Sequence, residues 1–283
     1  VVMASDPDAD RIGLVIRDNN GEYVLINGNQ IVMIFLNYLM TRNTELGTLT
    51  GNEYIVKTIV TTETIRTIAE AQHIKMYDCF TGFKWIANVM RENEGKARYL
   101  GGGEESYGFL AEDFVRDKDS VSAISLMAEI AAWAKDKGLN MTDMLIDIYM
   151  KYGFSREKGI SLVRKGKSGA EEIIALMKQF RENPPKEIAG SPVVTVKDFQ
   201  SLVETNVATG ETKKLDMPAT SNVLQYYTAD RTKVSVRPSG TEPKIKFYIE
   251  VHDTLASADE YKATEARADE KINRIAKEFG ITK

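Results

Sequence analysis

Strand-length apolar runs alternate with stretches of helical period along residues 1–153, and this alternation confines that half of the chain to an α/β architecture. Residues 1–4, 12–16 and 23–26 have strand character, and Asp18-Asn19-Asn20-Gly21 between the last two is a hairpin turn. Residues 30–40 follow a helical pattern. Residues 55–60 are β-rich and lead into a helix from Thr62 that gathers Ile65, Ile68 and Ala69 on one face. Further strands are expected at 74–77 and 98–100, and helices at 121–135 and 141–152.

The pattern changes after Gly153. A short strand at 160–163 precedes Ser168-Gly169-Ala170-Glu171, which has the spacing of a capping box. The helix it opens is expected to turn Ile173, Ile174, Met177 and Phe180 inward and to stop before Pro184-Pro185. Residues 193–196 and 233–236 read as strands. Over residues 244–251, Ile245, Phe247, Ile249 and Val251 face one way and Lys244, Lys246, Tyr248 and Glu250 the other, which is the signature of a half-buried antiparallel strand. Ser257-Ala258-Asp259-Glu260 repeats the capping spacing before a helix that buries Tyr261, Ala268, Ile272, Ile275 and Phe279 and ends at Gly280. The second half is thus expected to be a separate α+β domain.

A chain of 283 residues is long enough for two such cores. No apolar run approaches the roughly 18 residues that a membrane span needs. The opening Val1-Val2-Met3 reads as the middle of a strand, so a piece of a longer protein is expected. A single cysteine, Cys79, excludes an internal disulfide framework and a cysteine-based zinc site, and fits a cytoplasmic location. The formal net charge of −4 argues against a nucleic-acid partner, while a local group of Lys and Arg still suits an anionic substrate.

Three loops carry chemistry. Ser5-Asp6-Pro7-Asp8-Ala9-Asp10-Arg11 places carboxylates at alternate positions on a tight turn, where they can gather around a hard cation such as Mg²⁺. An EF-hand would need Gly and Glu where Arg11 and Arg17 stand, so that alternative fails. Gly101-Gly102-Gly103-Glu104-Glu105-Ser106-Tyr107-Gly108 follows a strand, and its carboxylate and hydroxyl groups suit the vicinal hydroxyls of a sugar. Arg237-Pro238-Ser239-Gly240-Thr241-Glu242-Pro243 joins two strands. It offers a guanidinium, two hydroxyls and a turn of backbone N–H groups, the equipment for a phosphate. A plain β-turn is the alternative there. Lys57 lies in a strand, Lys84 in Thr81-Gly82-Phe83-Lys84-Trp85, and Lys118 in the charge run Val115-Arg116-Asp117-Lys118-Asp119. Lys57 and Lys84 are each either a snorkelling side chain or functional, whereas the run holding Lys118 by itself reads as a solvated segment with Asp119 or Ser120 as N-cap.

In order and spacing these loops resemble those of the α-D-phosphohexomutases, whose members include phosphoglucomutases and phosphomannomutases. The resemblance covers essentially the whole chain and implies its fold. Residues 1–20 would be the end of the family's second domain with the metal loop. Residues 21–153 would be its mixed-sheet α/β third domain, and residues 154–283 its fourth, α+β and like the TATA-binding protein. It implies Mg²⁺ on Asp6, Asp8 and Asp10. Glu104 and Ser106 would hold the sugar, and Arg237, Ser239, Gly240 and Thr241 the distal phosphate. Arg11, Lys57, Lys84 and Lys118 would be the catalytic basic positions. The activity implied is interconversion of a sugar 1-phosphate and 6-phosphate through a bisphosphate. Glu104-Glu105-Ser106-Tyr107-Gly108 favours glucose 1-phosphate, glucose 6-phosphate and glucose 1,6-bisphosphate. Phosphopentomutase, phosphomannomutase and a non-catalytic phosphosugar-binding module are the alternatives, and a stand-alone Mg²⁺ phosphatase is a weaker one. The family's phosphoserine loop has no counterpart in these residues: no Thr-Ala-Ser-His-Asn-Pro-like segment occurs. The 283 residues by themselves are therefore expected to lack mutase turnover.

Overall fold

The computed structural model describes residues 1–164, 166–240 and 242–282. The chain divides into two compact units, Val1–Phe154 with Leu255–Asp259, and Ser155–Thr254 with Glu260–Lys283. Among the described residues no helix is long and apolar enough to cross a membrane.

The first unit opens with an antiparallel sheet of β1 (Val2–Ser5), β2 (Ile12–Arg17) and β3 (Tyr23–Ile26). The hairpin between β2 and β3 closes as its residues require. The Asp18 carboxylate accepts from the N–H groups of Asn20 and Glu22, and Gly21 takes φ +85°. Helix α1 (Gly28–Glu45) follows. It starts earlier than the apolar period suggests, because Asn27 and Gln30 form a reciprocal capping box.

A second sheet has the order β5 (Lys75–Cys79), β4 (Glu53–Thr58), β6 (Arg98–Gly103), β7 (Phe109–Ala111). β4 runs parallel to both of its neighbours, and β7 returns antiparallel to β6. All six residues of β4 are buried, as expected of a parallel strand covered on both faces. Helices α2 (Thr64–Ala71), α3 (Phe83–Asn93), α4 (Ser120–Asp136) and α5 (Met141–Tyr152) complete the unit. α3 packs Phe83, Ile86, Val89 and Met90 on Tyr54, Val56 and Tyr99 of the sheet. Cys79 lies in this cluster, where burial pushes its thiol pKa up. The mixed α/β class read from the sequence holds.

In the second unit the sheet order among the described residues is β12-β11-β10-β13-β14-β15-β8, with β9 (Glu187–Ile188) beside β10. Its strands are β8 (Phe154–Val163), β10 (Ser191–Asp198), β11 (Val203–Asn206), β12 (Thr212–Lys214), β13 (Leu224–Thr228), β14 (Lys233–Pro238) and β15 (Lys244–Asp253). The pairs from β9 through β15 are antiparallel. Helix α6 (Gly166–Glu182) packs on β14 and β15 and helix α7 (Tyr261–Glu278) on β15, and Phe180, Phe247 and Phe279 form an aromatic cluster. This is the α+β class expected.

Three details differ. α6 begins at Gly166, so Ser168 lies inside the helix, and Ile174 points to solvent with 70% exposure. The Ser257–Glu260 spacing makes no box, because a 3₁₀ turn over Ala258–Glu260 precedes α7 and its N-cap, Glu260, makes no side-chain cap bond. β15 is buried on both faces from Phe247 to Val251: Glu250 is taken inside by an ion pair with Lys233 at 2.9 Å, directly across the register.

Candidate active site

Residues 6–11 fold into a turn that holds itself by its own acids. The Asp6 carboxylate accepts from the N–H groups of Asp10 and Arg11, at 3.2 and 3.1 Å, and from Arg11 Nε at 2.7 Å. Burial opposes ionisation of Asp6. The Arg11 side chain and these N–H groups outweigh it and hold the carboxyl below its ordinary pKa. Ala9 takes φ +56° at the tip, and Asp8 is exposed. Asp10 divides its oxygens. Oδ2 meets Lys118 Nζ at 2.8 Å, while Oδ1 is buried without a hydrogen-bond partner, with Arg11 Nε at 3.5 Å. An all-oxygen donor set with an unpartnered buried carboxylate oxygen suits a hard divalent cation. Among the described residues, however, no three His, Cys, Asp or Glu side chains are drawn together as a ligand group. Asp6 and Asp10 face Arg11 and Lys118 instead.

The loop at 104–108 docks on this turn. The N–H of Ile12 donates to Tyr107 O at 3.1 Å, and Arg11 and Gly108 form a β-bridge. The N–H of Ser120, first residue of α4, donates to Ala9 O at 3.1 Å, which brings the 117–120 segment to the same place. Glu104 is buried and its Oε1 accepts from the N–H of Gly82 at 2.8 Å, so the loop also grips the start of α3. Lys84 is two residues further on, with Nζ 5.3 Å from the Trp85 ring centroid and no carboxylate partner among the described residues. Ser106 is half-buried. Arg11, Glu104 and Lys118 are thus brought together around the aspartate turn.

Lys57 is placed differently. It is wholly buried, with Nζ 3.0 Å from Glu63 Oε1 and 2.9 Å from Asp78 Oδ1. Arg66 joins the same two carboxylates, through Nε to Glu63 at 3.1 Å and through its other nitrogen to Asp78. The ammonium is committed to a network that ties the end of β4 to β5 and to the start of α2.

In the second unit, Arg237 sits near the end of β14, opposite Lys246 of β15. It is half-buried, and among the described residues no carboxylate pairs with it. The Ser239 N–H closes the turn on Lys244 O at 2.8 Å, and Gly240 has open space around it. Ala170, Ile173, Pro238, Ser239 and Gly240 share the lining of one groove. Thr241 lies outside the described residues.

Residues 27–152 match the phosphoglucomutase/phosphomannomutase α/β/α domain III, and residues 181–268 match the C-terminal domain of the same family. The chain belongs to the phosphoglucomutase/phosphomannomutase family. It is 36% identical over 249 residues to the phosphoglucomutase of Staphylococcus epidermidis, covering 88% of this chain and 44% of that protein. To the phosphoglucomutase of Staphylococcus haemolyticus it is 33% identical over 252 residues, 89% of this chain and 45% of that one. The chain therefore spans less than half the length of these relatives. Among solved structures it resembles parafusin, a phosphoglucomutase from Paramecium, with TM-score 0.59, 16% identity and coverage of 97% of this chain and 46% of that chain. It also resembles an N-acetylphosphoglucosamine mutase of Aspergillus fumigatus in complex with GlcNAc-6P and magnesium, with TM-score 0.50, 13% identity and coverage of 97% and 51%. At these identities the structures speak for the phosphohexomutase fold alone.

Two features of this family member escaped the sequence reading. Gly28 abuts the 104–108 loop so closely that a Cβ there would lie 2.0 Å from Glu105 O. The Asn27…Gln30 capping spacing was the available signal, since it moves the helix start back to this glycine. Glu105 accepts from the hydroxyls of Thr58 and Thr61, at 3.3 and 3.5 Å, a contact that no local pattern announces.

Proposed function

We propose that this chain supplies the metal, sugar and distal phosphate loops of a phosphohexomutase that interconverts glucose 1-phosphate and glucose 6-phosphate through glucose 1,6-bisphosphate. The observation that carries this reading is the interlock of the aspartate turn with the 104–108 loop, through the Ile12–Tyr107 hydrogen bond and the Arg11–Gly108 bridge. Phosphoryl transfer depends on positioning and charge stabilisation more than on covalent chemistry from side chains. The interlock holds carboxylates for a cation and groups for a sugar in one frame. Asp6, Asp8 and Asp10 would hold Mg²⁺, which when bound supplies charge to a transferring phosphoryl group. Arg11 holds Asp6 in place. Glu104 and Ser106 orient sugar hydroxyls, and Lys84, unpaired beside Trp85, offers a cation to the substrate. Residues 1–20, 21–153 and 154–283 correspond in this reading to parts of the family's second, third and fourth domains. The buried single cysteine accords with a cytoplasmic location.

Arg237, Ser239, Gly240 and Thr241 would clamp the phosphate that is not transferred. A half-buried guanidinium without a carboxylate partner is available for a bidentate contact. Arg237→Ala is expected to weaken binding of glucose 1,6-bisphosphate by about 2 kcal/mol, with little change in thermal midpoint. Arg237→Lys restores the charge without the fork, so it should recover only part of the loss. Titration calorimetry and thermal melts of the 283-residue chain measure both quantities. Retained affinity with a lowered midpoint would make this loop a structural turn and remove the phosphate clamp from the proposal.

A further inference from the structure

Lys118 is held along its stem and at its ammonium. The N–H of the next residue, Asp119, donates to Phe109 O at 3.1 Å, and its side chain caps α4 by accepting from Val121 and Ser122. The lysine stem lies flat on Gly108, where a Cβ would come within 2.7 Å of Lys118 Cδ. Its Nζ ends 2.8 Å from Asp10 Oδ2, 3.3 Å from Asp117 Oδ1 and 6.0 Å from the Phe83 ring centroid. The ammonium is therefore held by Asp10 and Asp117, not turned outward as a free cation for substrate.

The two oxygens of Asp10 are consequently unlike. Oδ2 is clamped, and Oδ1 is buried without a hydrogen bond, with Arg11 Nε 3.5 Å away. Clamping one oxygen of a carboxylate fixes the direction of the other. We propose that Lys118 is a positioning residue: it grips Asp10 through Oδ2, presents Oδ1 to a divalent cation, and couples the aspartate turn to the 104–108 loop through Gly108. This rests on the metal reading given above and differs from the catalytic role that the family resemblance implies for Lys118. Hydrogen-bonded partners of metal ligands typically govern ten- to hundred-fold in metal affinity. A competing role has the opposite sign. A lysine that merely neutralises Asp10 repels an incoming cation, and its removal tightens binding.

Titration of the 283-residue chain with Mg²⁺ alone separates these outcomes. Lys118→Met keeps the stem on Gly108 and removes the donor, and Lys118→Leu removes the donor as well if the first variant folds poorly. Both are expected to bind Mg²⁺ about tenfold more weakly or worse, with thermal midpoints close to the parent, while Lys118→Arg recovers most of the affinity. Unchanged or tighter Mg²⁺ binding in Lys118→Met and Lys118→Leu overturns the positioning role. Asp8→Ala tests the cation loop independently of Lys118. If Asp8→Ala loses affinity while the Lys118 variants do not, only this inference fails. If Asp8→Ala also binds like the parent, the metal reading fails and takes this inference with it.

Discussion

Lys57→Met should destabilise the first unit by roughly 3 kcal/mol, because removing one member of a buried charge network leaves the others uncompensated. Lys57 is wholly buried in β4, and its ammonium bonds to Glu63 and Asp78. Methionine fills nearly the same volume, so the packing term stays small and the electrostatic loss is what is measured. Arg66 remains as a partner for both carboxylates, and Glu63 and Asp78 retain 18% and 28% side-chain exposure. The expected loss therefore sits at the low end of the range for broken buried pairs. Both tryptophans, Trp85 and Trp133, belong to the first unit, so fluorescence-detected urea unfolding reports on that unit selectively. A catalytic lysine held only loosely would give a different result: a near-normal urea midpoint. That outcome would favour the catalytic role that the family resemblance implies for Lys57.

Gly28→Ala should be comparably damaging, for a steric reason. A Cβ on Gly28 would lie 2.0 Å from Glu105 O, 2.6 Å from Glu105 C and 2.8 Å from Tyr107 N. These are backbone atoms, which cannot swing aside as a side-chain tip can. Either α1 retreats or the 104–108 loop shifts. α1 is anchored by buried Ile31, Val32, Phe35 and Leu36, each worth about 1.5–3 kcal/mol when buried, so the loop is the part expected to yield. Its shift should break the Ile12–Tyr107 hydrogen bond and the Arg11–Gly108 bridge. The expected cost is roughly 3 kcal/mol, at the upper end of typical overpacking effects. Hydrogen exchange at the Ile12 amide should accelerate in the same variant. Parent-like stability together with unchanged protection at Ile12 would show that the glycine is not needed for this contact.

Much of the architecture is written locally. The hairpin at 18–21 is set by Asp18 and Gly21 at its own ends, and α5 occupies the expected residues because Asn140 and Asp143 cap it. Local order fails where burial decides. Ile174 has an inward-looking spacing in α6 yet lies at the surface, and Glu250 looks like a solvent-facing strand residue yet is buried by its pairing with Lys233. A period counts positions along one element, whereas burial depends on which neighbour covers each face.

The same division holds for the candidate site. The types and order of the functional groups are set by the sequence: acids at 6, 8 and 10, the acidic, hydroxyl-bearing loop at 104–108, and an arginine before a Ser-Gly turn at 237–240. Their family follows from that order, and matching domains support it. What each basic residue does is decided by tertiary structure. Lys57 and Lys84 stand beside apolar neighbours in the chain and Lys118 within a charge run, and none of these settings announces a role. In the fold one is sealed between two carboxylates, one lies over Trp85, and one clamps Asp10 across 108 positions of sequence. An ammonium takes its role from the charges within a few ångströms of it, and those charges arrive from distant segments only when the chain has folded.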